Sequence, residues 1–125
     1  MGVPIFGPQA RLHRDLCVQL RARSVGCLKE WGEEPRRKAL ANDVSQIMSS
    51  LLDWPNPLFL PRDPFEVLCW DHSAYTIDDL RVDSALMAIE KLLGMPPEDE
   101  FWRQARALTF GDVIDRLMAR STTSQ

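Results

Sequence analysis

Three groups of residues have types and spacings that could do chemistry. Asp71-His72-Ser73 sets an acid, an imidazole and a hydroxyl in a row. Those are the groups of a nucleophilic relay, but neighbours in sequence do not face one another as a relay requires, so a surface turn is expected. Cys69 and His72, with His13 and Cys17 four apart on a helix, carry the donors of a four-ligand zinc site. No Cys-x-x-Cys pair accompanies them, and Cys17 and Cys27 are expected as buried structural thiols. Asp78, Asp79 and Asp83 cluster in a way that suits a cation site or a general acid/base pair. Favourable interaction with a helix N-terminus accounts for the first two without any function. The four tryptophans, Trp31, Trp54, Trp70 and Trp102, either line a ligand pocket or fill the core. With no glycine-rich phosphate loop and no dinucleotide fingerprint, no catalytic residue and no metal is assigned, and a non-enzyme is expected.

The elements that must position these residues are mostly helical. Leu12, Leu16, Leu20, Cys27, Leu28 and Trp31 fall near one face of an amphipathic helix over residues 9–31. Gly32-Glu33-Glu34-Pro35 interrupts it, and Pro35 at a first helical position predicts a second helix. In that helix Leu40, Val44, Ile47, Met48, Leu51 and Leu52 recur at helical spacing, and it must stop by Trp54-Pro55. Residues 54–75 are rich in proline and in large apolar side chains, which predicts a long ordered connection with a short extended stretch at Phe65 to Trp70. Thr76 is expected to cap a helix whose buried face is Val82, Leu86, Ile89 and Leu93 and which ends at Gly94 before Pro96-Pro97. A short helix through Phe101, Trp102 and Ala105 follows. Thr109 then caps a last helix with Phe110, Val113, Ile114, Leu117 and Met118 on its core side, and residues 121–125 are expected as a flexible tail.

The 125 residues make one domain, and 45% hydrophobic composition is enough for one core. No apolar run approaches the roughly 20 residues of a membrane span. The first residues lack the pattern of a targeting signal, and Phe6 stands where a myristoylation signal needs Ser or Thr, so an untargeted chain is expected. Three cysteines without a close pair suit a reducing, cytoplasmic compartment. The net charge of −3 is divided unevenly: residues 1–40 carry +4 and residues 41–125 carry −7. That balance argues against nucleic acid and favours a protein partner with a basic surface.

Residues 40–119 resemble an acyl carrier protein. Ile77-Asp78-Asp79-Leu80 through Met87-Ala88-Ile89-Glu90-Lys91-Leu92-Leu93-Gly94-Met95 aligns without gaps on the carrier pattern of Asp-Ser-Leu and a helix ending Met-Ala-Leu-Glu, two further residues, Phe-Gly-Ile. Leu108-Thr109-Phe110-Gly111-Asp112-Val113-Ile114-Asp115 is similar to the opening of the family's fourth helix. The resemblance implies an all-α fold: an acyl-carrier-like four-helix bundle over residues 35–120, with an added N-terminal helical extension, 1–34, and a long apolar ordered loop.

In that register Asp79 stands where the family's serine carries 4'-phosphopantetheine, and a carboxylate cannot replace the hydroxyl nucleophile. The expected function is therefore a non-enzymatic interaction module without cofactor. Its partner-binding surface would be the acidic second bundle helix, with Asp78, Asp79, Asp83 and Glu90, the use carriers make of that helix. Two alternatives remain at this level. In one, a shifted register makes Ser84 the attachment site of 4'-phosphopantetheine in a working acyl or peptidyl carrier. In the other, the chain is a small immunity or chaperone-like protein. A homodimer through residues 9–31 is a further expectation.

Overall fold

The computed structural model describes residues 3–4, 8–69, 76–77, 79–96 and 98–123. Within them the fold is all-α. A two-residue antiparallel pair, β1 (Val3–Pro4) with β2 (Thr76–Ile77), adds no layer to it. The expected helix over 9–31 is divided. α1 (Pro8–Ala22) stops before Arg23, and a 3₁₀ segment, Val25–Trp31, follows an extended Ser24. Ser24 and Gly26 favour helix poorly, and the Arg23 side chain is drawn away toward the loop described below. The buried stripe of α1 is His13, Leu16, Cys17 and Leu20, spaced i, i+3, i+4, i+7. Leu12 is one residue off that stripe and stands 54% exposed, contrary to its expected place in the core.

α2 (Pro35–Leu51) begins at Pro35, as its sequence predicts. Its cap is the Glu34 carboxylate, which accepts from the backbone N–H of Arg36 at 3.1 Å and Arg37 at 2.9 Å. Val44, Met48 and Leu52 are fully buried, whereas Leu51 is exposed. The segment Phe65 to Leu68 is one helical turn, α3 (Phe65–Leu68), rather than an extended stretch. As a turn it buries Phe65, Val67 and Leu68 together in the core, and Pro64 before it supplies the entry conformation.

α4 (Asp79–Leu93) starts three residues after Thr76, so Thr76 is not its cap and belongs to β2 instead. It closes on Gly94 at φ +65°, with Gly94 N–H donating to Lys91 O and Met95 N–H to Glu90 O, the paired bonds of a glycine-terminated helix. α5 (Asp99–Ala105) buries Phe101, Trp102 and Ala105 as expected. α6 (Phe110–Thr123) runs through Thr123, into the segment expected as a tail, and buries Phe110, Val113, Ile114 and Leu117. α2 packs against both α4 and α6 around a single core cluster, to which α1 and the loop also contribute.

The loop between α2 and α3 is ordered by polar groups placed inside it. Asp63 is buried, and its carboxylate takes a two-pronged ion pair from Arg23 at 2.8 and 2.9 Å and the Leu60 N–H at 2.7 Å. Arg23 also donates to Leu58 O, and Asn56 donates to Leu20 O at the end of α1. On the other side, Asp63 O and Pro61 O accept from Phe110 N–H at 2.7 Å and Gly111 N–H at 2.8 Å. Asp112 N–H goes to Thr109 Oγ1, the expected cap. The first N–H groups of α6, which its own helix cannot satisfy, are thus taken up by the loop. The contact is so close that a Cβ on Gly111 would lie 2.7 Å from Pro61 Cβ.

Asp63→Ala leaves the Arg23 guanidinium buried without its partner, and a loss of about 3 kcal/mol is expected. Gly111→Ala pushes against Pro61 and should cost about 1–3 kcal/mol. Urea unfolding measures both. Because both changes act on one junction, the double variant should lose less than the sum, and strict additivity would show that the two contacts are independent.

Candidate functional site

Glu90 lies on the buried stripe of α4, one turn beyond Leu86 and beside Ile89, and is only 6% exposed. Its Oε2 accepts from the Trp102 indole Nε1 at 2.8 Å and from Glu98 N–H at 3.1 Å. The carboxylate therefore fastens α4 to the start of α5. Glu90 is thus more a structural tie than the free surface carboxylate expected of it, although it also lines the groove between α4 and α5. Glu98 is held in turn by Arg120 of α6, whose guanidinium also stacks over Phe101 at 4.7 Å.

Above this tie runs an open, largely apolar groove of about 570 Å³ between α4 and α5. α4 contributes Asp83, Leu86, Met87 and Glu90 to its walls, and the far side is formed by Asp99, Trp102 and Arg106. Met87 is 64% exposed, an apolar side chain left in water at the lip. Arg103 also lines the groove but is paired with Glu100 at 2.8 Å. Asp83 is exposed on the same helix. α4 begins at Asp79, whereas Asp78 and the side chain of Asp79 lie outside the described residues. Ser84 is exposed in the second turn of α4.

Among the described residues the other candidate chemistry does not assemble. Asp71-His72-Ser73 and Trp70 fall outside the described residues. Among the described residues no three His, Cys, Asp or Glu side chains converge to hold a metal ion. His13 packs its ring 4.6 Å from that of Trp54. Cys17 and Cys69 are buried, as structural thiols should be, and Cys27 is half-buried. Burial pushes the Cys69 thiol up to about 12, only partly opposed by nearby Arg106, and it raises Cys17 as well against the pull of Arg21. The described tryptophans are core groups whose indole N–H each pins a neighbouring segment. Trp31 donates to Phe59 O, Trp54 to Leu68 O and Trp102 to Glu90.

Leu16, Cys17, Leu20 and Trp31 are covered by the chain's own core, so a homodimer through residues 9–31 would have to use the exposed Leu12, Val18 and Val25. No helix among the described residues is long and apolar enough to cross a membrane. Comparison with protein-family models, curated proteins and solved structures finds no match.

Reasoning from the sequence passed over Arg23, Asp63 and the inward turn of Glu90. For Glu90 a signal exists, since positions 82, 85, 86, 89, 90 and 93 form one helical stripe in which it is the charged member. Glu90→Ala is expected to destabilise by about 2 kcal/mol, by leaving the Trp102 indole without its acceptor, measurable as a shift in the urea midpoint. Toward a thiol reagent, Cys27 should react in the folded protein, and Cys17 and Cys69 only at the rate of unfolding. The raised thiol of Cys69 means that the folded state holds its proton more tightly than the unfolded chain does. Its stabilising effect is complete below about pH 9 and is lost as pH rises toward about 12. Cys69→Ala should flatten the decline in stability over that range.

Proposed function

We propose that the chain is a protein-interaction module, not an enzyme, that receives a partner segment in the groove between α4 and α5. The observation that carries this reading is Met87, exposed at the lip of an apolar groove beside the carboxylates of Asp83 and Asp99. Methionine is pliable and polarisable enough to pack against an incoming apolar side chain. Asp83 and Asp99 suit a partner in which that anchor is bordered by basic residues, and Arg106 on the far wall suits an acidic residue beside them, with charge steering the encounter more than it tightens the complex. Glu90, itself in the groove's lining, holds the two walls together.

An acyl-carrier-like bundle without a carrier arm is compatible with the same features. Its support is the order of a long α2, an ordered loop, α4, a short α5 and α6, with α2 against both α4 and α6. Asp79 is the first residue of α4, the place where the resemblance sets the prosthetic serine. 4'-Phosphopantetheine does not fit there, because an aspartate offers no hydroxyl to be modified. One observation favours the second reading, a working carrier modified on Ser84, namely that Ser84 is exposed on α4. Its position inside the helix, a full turn past the start, weighs against it.

Intact mass before and after incubation with coenzyme A, magnesium and a promiscuous phosphopantetheinyl transferase separates the two readings. No gain is expected. A gain that disappears in Ser84→Ala would replace the interaction module with a carrier. For the groove itself, a photo-cross-linking amino acid at position 87 in the producing cell should give a discrete protein adduct that Asp83→Lys weakens. The same probe at exposed Gln46 should give none. Equal adducts from both positions would remove the groove as the contact surface.

A further inference from the structure

A second, smaller cleft of about 230 Å³ lies between the 3₁₀ segment, α2 and the loop. Its walls are Leu28, Trp31 and Pro57, and its floor is the α2 stripe Ala41 and Ser45, both 2% exposed. The space exists because two small residues stand one helical turn apart where a larger pair would have filled it. Trp31 is a fixed wall. Its indole N–H is bonded to Phe59 O at 2.9 Å, Phe110 meets it edge-on at 5.4 Å, and Arg37 lies over its ring at 5.1 Å. Lys38 and Asn42 stand at the mouth, on the same face of α2. Arg37 is occupied by Asp115 and Trp31 O, whereas the Lys38 ammonium forms no ion pair among the described residues.

We propose that this cleft binds a small aromatic carboxylate, with the ring between Leu28, Trp31 and Pro57 and the carboxylate at the mouth on Lys38. The volume decides the size. It is somewhat larger than the roughly 150 Å³ that accepts benzene and smaller than the roughly 300 Å³ at which drug-sized sites begin, so one ring with a short arm fits. The composition decides the chemistry: an apolar, preformed interior rewards a rigid ring without a cost of reorganisation. The Lys38 ammonium, the one cation among the described lining residues, selects an acid over an alcohol or an amine. The amide of Asn42 supplies a polar contact at the mouth, and the hydroxyl of Ser45 one at the floor. The inference is independent of the groove between α4 and α5.

The test is a titration of the intact ¹⁵N-labelled protein with 3-phenylpropionate, followed by amide and indole N–H shifts, with 3-phenylpropanol as the uncharged control. The expected result is saturable shifts centred on residues 28–31, 41–45 and 57, with a Kd near 1 mM or below, which corresponds to about 4 kcal/mol. Because Lys38 is exposed, its ion pair is worth little in water, so the alcohol and the Lys38→Glu variant should each bind about five-fold more weakly. Ala41→Leu, which fills the floor, should abolish the shifts. Lys38→Glu lies on the surface and keeps the proposal testable if Ala41→Leu fails to fold. No saturation at 10-fold the expected Kd, shifts centred elsewhere, or equal binding of the alcohol would overturn the proposal.

Discussion

The buried pair of Arg23 and Asp63 is the constraint on which the rest of the molecule depends. The loop over residues 52–64, lined with Trp54, Phe59 and Leu60, is too apolar to lie in water, yet its backbone carries polar groups that cannot be buried bare. Asp63 resolves the conflict from the inside, because one carboxylate satisfies the Leu60 N–H and holds the guanidinium that caps Leu58 O. Its own carbonyl receives the first N–H of α6. A buried pair of this kind is a poor source of net stability, since two desolvated charges consume most of what their attraction supplies. What it provides is a unique arrangement: α1, the loop and α6 meet in one geometry, and any other leaves a charge unmet.

The same device recurs in weaker form. Each described tryptophan contributes a large apolar body and one directed N–H, and each N–H is used to hold a segment that has no regular structure or a helix that is short. Glu90 is the acceptor for one of them, which is why α5, only seven residues long, keeps its place on α4. A helix of that length has little stability of its own and is held by its contacts. The groove and the cleft both depend on these tied tryptophans for a wall, Trp102 in one and Trp31 in the other.

The sequence made the helices with strong periodicity legible. Pro35 as a start, Gly94 as a stop, Thr109 as a cap and the apolar faces of α2, α4 and α6 all follow from local chemistry, and the structure has them there. The misreadings share one cause, which is a tertiary contact overriding a local pattern. The break in α1 follows Arg23 being turned toward a residue forty positions away, which no window of helical length can contain. The turn of α3 and the exposure of Leu12 likewise depend on what the core accepts. Of the candidate site, Asp83 was visible as a surface carboxylate. Glu90 was not separated from it, because charge was read without regard to its place on the stripe. The groove and the cleft are shapes made between elements, and such shapes leave no trace in the order of residues.

The junction of the loop with α6 also sets an order of events during synthesis. Its acceptors, Pro61 O and Asp63 O, and its ion-pair partner, Arg23, are made early, whereas the donors at Phe110 and Gly111 are made much later. Until those two amides emerge, the loop has apolar side chains to hide and two carbonyls that must stay in water, so this junction of the core closes only after the start of α6 is made. The last helix is thus the key that locks a segment made long before it, and a ribosome pausing ahead of Phe110 would hold the protein in its most adhesive state.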